Sequence, residues 1–414
     1  MPNMPVRAAE WHKLPMSLSE LCINTTLRCG QSFRWRKSTE EEYSMALHGC
    51  ILSFRQDATH LHYRAIFPST LPTPPPSNAP SLAPSVVSDD DDTLALVRHY
   101  LNLEPNLVQL YEQWASADPN FRKRAPKFTG IRILRQDPWE ALIGFICSSN
   151  NNIGRISGMV HNLCKHYGPL IGHIGDEPYH DFPTPEALAD PKVEAHLKEL
   201  GFGYRAKYIV KTAQIVATDK SLAWLEELCN PENPVFGKES KTAGQLEVGG
   251  REGYRKAHHD LLALHGVGPK VADCVCLFGL GWSESVPVDT HVWQIAQRDY
   301  KFGKGKHSSL TAATYTAIAN RFRELWGKEA GWAHSVLFTA DLKAFSERVI
   351  AKTEVKEEVI TVKKEEDGTD EIEDVKKIEI VKRKRVKKEV DEPEQGVEVK
   401  EEVSTRSSKR RKAR

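Results

Sequence analysis

"LHGVGPKVADCVC", residues 264–276, decides the fold. Two glycines bracket a valine, a proline follows, and then a lysine. Upstream, Tyr254 to Leu264 carries apolar Ala257, Leu261 and Leu264 at helical spacing; downstream, Val271, Val275 and Phe278 do the same. Gly266 and Gly268 can adopt backbone angles closed to other residues. Pro269 suits the first position of a helix, where its missing N–H costs nothing. The stretch therefore reads as two helices joined by a tight turn, over residues 254–279. Such a turn leaves unpaired backbone N–H groups that can clamp a phosphate without side-chain charge. Alone, it is equally the mark of an ordinary αα-hairpin.

Lys270 is the odd member. A cation sits badly at the positive end of a helix dipole, which favours the neutral amine by about 0.3–1 kcal/mol. An ordinary lysine titrates near about 10.4, so burial has to supply the rest. A buried neutral lysine is a Schiff-base nucleophile; an exposed one simply touches phosphate. A second stretch, "SVPVDTHVWQIAQRDY" (285–300), places Asp289 as N-cap of an amphipathic helix. Capping alone would justify it. The helix N–H groups also hold such a carboxylate ionised, able to stabilise a developing cation or take a proton. A close Asp289 would oppose deprotonation of Lys270, so the arrangement works only if the aspartate faces the substrate more than the amine.

Working outward, residues 28–67 read as strands ("QSFRWRK", "YSMALHG", "CILSFRQ", "HLHYRAIF") in an antiparallel meander. "QDPWEALIGFICSSNNN" (136–152) reads as a helix with Asp137 as N-cap and Pro138 at its first position. Two or three short helices follow over 184–217, and further ones at about 290–301, 311–326 and 330–343. The Pro/Ser-rich, then acidic segment 68–92 is expected to be a disordered insertion, and 230–252 a second flexible one. From residue 349 the chain becomes a Lys/Glu/Val-rich tail without the composition for a core. Its basic runs "KRKRVKK" (382–388) and "KRRKAR" (409–414) point to the nucleus, mitochondria remaining open.

The net charge of +1 announces no global field toward a polyanion, so any basic patch is local. No apolar run is long enough to span a bilayer, and the first residues lack the apolar core of a secretory signal. The eight cysteines are scattered, without zinc or iron–sulfur spacing, and are expected to be reduced and mostly buried.

"HGVGPKVADC" followed by "PVDTH" resembles the helix-hairpin-helix (endonuclease III-like) DNA glycosylases. "CGQSFRW" (29–35), "FICSSNNNIGRISGMV" (145–160), "LGFGYRAKY" (200–208), "VPVDTHVWQIAQRDY" (286–300) and "GWAHSVLFTADL" (331–342) are similar to the 8-oxoguanine DNA glycosylase/AP lyase family. The resemblance implies an α+β fold. An N-terminal antiparallel TBP-like β domain (1–133) stands beside a helical glycosylase body (134–348), with a disordered charged tail (349–414). It implies a monomer that flips oxidised guanine opposite cytosine out of double-stranded DNA, needing no cofactor. Ring-opened formamidopyrimidine purines would be further substrates. Lys270 would attack the sugar and Asp289 would stabilise the sugar cation; the Schiff base would then allow β-elimination. The rival reading is a noncatalytic hairpin module that binds DNA nonspecifically.

The same motif matches imply roles for other residues. The Gly30 carbonyl would read the proton on N7 of the lesion; ordinary guanine would leave it unpaired, costing about 1–3 kcal/mol. Cys274, one turn beyond Lys270, and Phe338 would sandwich the base, with Pro287 in the same pocket. Asn150 would fill the emptied space, Arg155 and Arg205 would read the orphaned cytosine, and Tyr204 would wedge into the helix stack. Gly266, Gly268 and His291 would contact phosphate. The carbonyls of Leu262, Leu264 and Val267 would hold a structural cation. His334 stands where the family usually has glutamine. A glutamine amide offers a donor and an acceptor together, whereas a neutral imidazole offers one of each on opposite edges. Lesion preference is therefore expected to differ, with a pH dependence as His334 protonates.

Overall fold

Two adjacent residues at positive φ, His48 (49°) and Gly49 (78°), close the tightest hairpin of the N-terminal sheet. They join Leu47 to its partner Cys50 by a two-residue turn that matches strand twist. A computed structural model describes residues 10–68, 90–303 and 309–345. The sheet consists of β1 (His12–Pro15), β2 (Arg36–Lys37), β3 (Tyr43–Leu47), β4 (Cys50–Gln56) and β5 (His60–Ile66). Its order is β1-β5-β4-β3-β2, antiparallel throughout. Tyr43, Phe54 and Tyr63 stand opposite one another across β3, β4 and β5. Their face packs with Leu96 and Val97 of the Asp90–Tyr100 helix, and with Leu101 just after it, into the sheet's own core.

The meander is as expected, with one difference. Of "QSFRWRK" only Arg36–Lys37 forms a strand. Gly30 turns the chain at φ +89°. Gln31 then spends its side chain on the carbonyls of Thr26 and Arg132 and on the amide of Leu134. Arg34 forms a two-point pair with Glu140, at 2.8 and 2.5 Å. Residues 29–35 are thus a strap from the sheet to the helical body, because their side-chain partners lie across the fold. β1 and the short hairpin Leu170–Ile174/Glu177–His180 have too few alternating residues to announce themselves.

The helical body starts where its caps predict. Asp137 accepts from Glu140 N at 2.8 Å and Pro138 opens a helix that runs to Cys147, buried at every position. It packs against the Pro269–Phe278 helix, with Phe145 and Phe278 stacked at 5.3 Å. The helix before the hairpin spans Glu252–Leu261, and the later ones span Thr290–Tyr300, Ala312–Trp326 and Ala330–Asp341. One core threads all of them and reaches back to Cys29, Phe33 and Leu107.

The segment 230–252 has no regular structure before Glu252 opens the next helix, but it is not loosely attached. Arg251, 1 % exposed, bonds Glu284 at 2.9 and 2.8 Å and Glu232 at 2.8 Å. Asn230 donates to the Gly281 carbonyl, and Phe236 packs beside His48 and His99. The flexible insertion is therefore an irregular segment clamped at both ends. Most of the 68–92 insertion, the 349–414 tail and its two basic runs lie outside the described residues. The eight cysteines are free and all but Cys22 are buried.

Candidate active site

Lys270 is the second residue of its helix, close to the surface. This position leaves it half-buried. Nζ donates to Ser148 Oγ at 3.1 Å and lies 5.5 Å from the centre of the Phe145 ring. Ser148 Oγ in turn donates to the Phe145 carbonyl at 2.7 Å, so its remaining lone pairs face the lysine. Asp289 is the N-cap of Thr290–Tyr300, accepting from Val292 N at 2.9 Å. Among the described residues, Lys270 and Asp289 form no ion pair: the lysine bonds a neutral oxygen and the aspartate a helix amide.

Both residues line a pocket that opens to solvent, and so do Gly30, Cys274, Pro287, His334 and Phe338. Four separated stretches of sequence thus converge on one cavity. Gly30 cannot be exchanged freely there. Its φ of +89° disfavours any side chain, and a Cβ would lie 2.9 Å from Ile153 Cδ1. Burial pushes the Cys274 thiol up to about 11, against a smaller opposite pull from Lys270, so it faces the pocket as a neutral, polarisable group.

His334 is 6 % exposed and lies 6.4 Å from Phe338, nearly parallel to it. Neither ring nitrogen has a hydrogen-bond partner; the nearby Gly331 carbonyl accepts from Ser335 Oγ instead. Burial lowers the imidazole to about 4, outweighing the opposing pull of Asp289 and Asp273. The pH dependence expected of His334 is thereby displaced toward acid, and the neutral ring keeps two unspent polar atoms in the pocket.

A second group forms an edge beside the pocket. Asn150 sits exposed in the left-handed region at φ 47°. Arg205, buried, donates Nη2 to the carbonyls of Ser149 and Asn150 and holds that turn from behind. Tyr204, 51 % exposed, donates its hydroxyl to the Ser149 carbonyl at 3.1 Å. Arg155 is exposed and reaches the Gly201 carbonyl at 3.2 Å. The hairpin adjoins this edge. Gly266, at φ +80°, is packed so closely that a Cβ would meet Tyr208 at 2.8 Å. Thr212 Oγ1 caps the His265 carbonyl at 3.0 Å.

Gly268 differs from the expectation. Its φ of −99° is open to any residue and a Cβ would meet nothing within 4 Å, so what it offers is open space above the helix start. His291 is exposed with its ring edge-on to Phe338 at 6.1 Å. Leu262 is exposed, Leu264 and Val267 are buried, and the Leu264 carbonyl accepts a long 3.3 Å bond from Val267 N.

Sequence reasoning missed Ser148, Phe145 and Cys29. Ser148 sits in the quoted Ser/Asn run, but nothing local shows that it meets a lysine 122 residues away. Phe145 reads as helix core, and Cys29 as the residue before the pocket glycine; both line the cavity.

Residues 13–142 match the family described as 8-oxoguanine DNA glycosylase, N-terminal domain. Residues 143–337 match the HhH-GPD superfamily base excision DNA repair protein. The chain is 36 % identical over 363 residues to the N-glycosylase/DNA lyase of Saccharomyces cerevisiae, covering 80 % of this chain and 86 % of the relative. It is 34 % identical over 337 residues to the N-glycosylase/DNA lyase OGG1 of Arabidopsis thaliana, covering 81 % of each. Among solved structures, the 8-oxoguanine glycosylase/lyase of Clostridium acetobutylicum, in complex with double-stranded DNA containing cytosine opposite 8-oxoG, has the same fold. Its TM-score is 0.61 at 22 % identity, over 84 % of this chain and 100 % of that one. Sheet, hairpin, convergent pocket and this kinship over most of the sequence agree: the chain belongs to the 8-oxoguanine DNA glycosylase family of N-glycosylase/DNA lyases.

Proposed function

We propose that this protein excises 8-oxoguanine, and ring-opened formamidopyrimidines, paired with cytosine in duplex DNA, and then nicks the strand. The observation that carries the reading is the convergence of Lys270, Asp289, Gly30, Cys274, Pro287, His334 and Phe338 on one pocket. With the base flipped into it, the ring lies between the Cys274 thiol and the Phe338 face. The Gly30 carbonyl accepts from N7–H. Neutral Lys270 Nζ forms a bond to C1′ while the bond from C1′ to the base breaks; the base leaves with its electron pair and takes up the proton that the amine sheds. Asp289, paired with a helix amide and not with Lys270, lies free to face the positive charge on the sugar. Ring opening gives the imine, and loss of a C2′ proton expels the 3′ phosphate.

On the exposed edge, Asn150 fills the space left by the base, Arg155 reads the cytosine and Tyr204 wedges the stack; Arg205, buried behind the edge, would reach the cytosine only by giving up its bonds to the Ser149 and Asn150 carbonyls. Gly266 and Gly268 present hairpin amides to phosphate and His291 contacts another. The Leu262, Leu264 and Val267 carbonyls are hard oxygen donors suited to a structural cation that would brace the turn. The protein acts as a monomer in the nucleus, directed there by its two basic runs. No helix among the described residues is long and apolar enough to cross a membrane.

Borohydride trapping tests the reading. Wild-type protein should form a covalent adduct with a duplex carrying 8-oxoguanine opposite cytosine, and Lys270→Gln should form none. A noncatalytic hairpin module would bind the duplex and leave no adduct with either protein.

A further inference from the structure

Asp273 follows Lys270 by three residues in the same helix, is 1 % exposed and does not line the pocket. Its carboxylate collects hydroxyls from three other elements. Tyr254 Oη and Ser285 Oγ donate to Oδ1 at 2.5 and 2.8 Å, and Tyr315 Oη donates to Oδ2. His258 Nε2 stands 3.7 Å from Oδ2, and no lysine or arginine pairs with it among the described residues. A buried carboxylate without such a cation survives only when its lone pairs are filled. Burial and the Asp273 charge hold both phenols well above their ordinary range, so they remain donors.

Two of these hydroxyls belong to, or reach, the segment that carries Asp289. Ser285 opens that segment. Tyr315 Oη, besides donating to Asp273, accepts from Val288 N at 3.3 Å, directly before Asp289. Pro287, between them, lines the pocket. The helix that presents the lysine is thereby tied, at both ends, to the segment that presents the aspartate.

We infer that Asp273 is a positioning residue: through Tyr315 and the Val288 amide it fixes where Asp289 stands relative to Lys270. The inference rests on the proposed roles of those two residues. It singles out one arm of the network. In Asp273→Asn the amide nitrogen fits best at the Oδ2 site, because Oδ1 faces two hydroxyl donors. The Tyr315 oxygen must then accept from both that nitrogen and Val288 N, and its own proton loses its acceptor. Tyr315→Phe removes the same arm and leaves the Tyr254 and Ser285 bonds in place.

The test is single-turnover base release from an 8-oxoguanine·cytosine duplex by Asp273→Asn, Tyr315→Phe and the double variant. Affinity for an uncleavable 2′-fluoro lesion duplex is measured in parallel, with rates normalised to active sites. Each single variant should slow release by about tenfold or more, since small misplacements of reacting groups cost this much. Lesion affinity should stay within about twofold of wild type, and the double variant should be no slower than the slower single one, because both break one arm. Wild-type rates in Tyr315→Phe, or effects that multiply in the double variant, would overturn the inference. If Asp273→Asn does not fold, Tyr315→Phe decides alone. Failure of wild-type protein to release base or trap on DNA would sink the functional reading itself, a result distinct from an unimpaired Tyr315→Phe.

Discussion

Lys270 Nζ donates to Ser148 Oγ at 3.1 Å, while Asp289, in the same pocket, accepts from the Val292 amide. The hydroxyl resolves a conflict posed by the sequence, where a nucleophilic amine and an ionised carboxylate share a site. Each has its own partner, and the lysine's is a neutral hydroxyl, so it can be given up for a substrate at the cost of one ordinary hydrogen bond.

Ser148→Ala removes that partner without altering the pocket wall. One hydrogen bond is worth roughly 0.5–1.5 kcal/mol, so single-turnover base release should fall by roughly 2- to 12-fold. Lysine-dependent trapping should persist. A fall beyond about 10³-fold would mean that the serine does more than hold the amine.

Asp289→Asn keeps the helix cap nearly intact, because the amide oxygen can still accept from Val292 N. Its loss is electrostatic. Base release should drop by about 10²–10³-fold, whereas Lys270→Gln should drop by more than about 10³-fold and abolish the covalent adduct. Comparable thermal unfolding midpoints for both variants would separate chemistry from folding.

His334 gives the protein a signature in acid. Its folded pKa, about 4, lies below its ordinary value. Between the two the unfolded chain binds more protons than the folded one. Stability supplied by the neutral ring is therefore present above about 6.5, the unfolded value, and is lost as pH falls toward 4. His334→Gln should remove this part of the acid sensitivity, read as a smaller change in urea midpoint between neutral and acid pH. Across pH 6–8 the wild-type rate should show no inflection that His334→Gln abolishes.

Gly266→Ala tests the hairpin apart from the chemistry. At φ +80° a side chain costs about 1–2 kcal/mol, and Tyr208 must also move. Affinity should weaken for undamaged and damaged duplex alike, by filter binding or fluorescence anisotropy. Base release at saturating protein should change far less.

Much of this site was legible because its chemistry is local. A glycine turn, a proline at a helix start and an aspartate cap are written within a few residues, and Asp137, Asp289 and the 264–276 turn are where their motifs place them. What stayed hidden depends on partners distant in sequence. Asp273 lies inside the opening stretch, yet its meaning comes from Tyr315, 42 residues on. Residues 29–35 read as a strand by side-chain pattern, but Gln31 and Arg34 bond groups 101 and 106 residues away. The 230–252 segment reads as flexible by composition, and its attachments, Asn230 to the Gly281 carbonyl and Arg251 to Glu284, lie 51 and 33 residues away.

The strap formed by residues 29–35 makes one wall of the cavity inseparable from the sheet. Gln31, bonded to the Arg132 carbonyl and the Leu134 amide, sets the height of the neighbouring Gly30 in that wall. A fragment beginning after residue 133 would keep the hairpin, the lysine and the aspartate in its sequence, but it would lose Cys29, Phe33, Leu107 and Trp114 from the core that threads the helices around them. The cavity wall and the scaffold of the helices are thus one piece of architecture, and the two stretches cannot be parted without opening both.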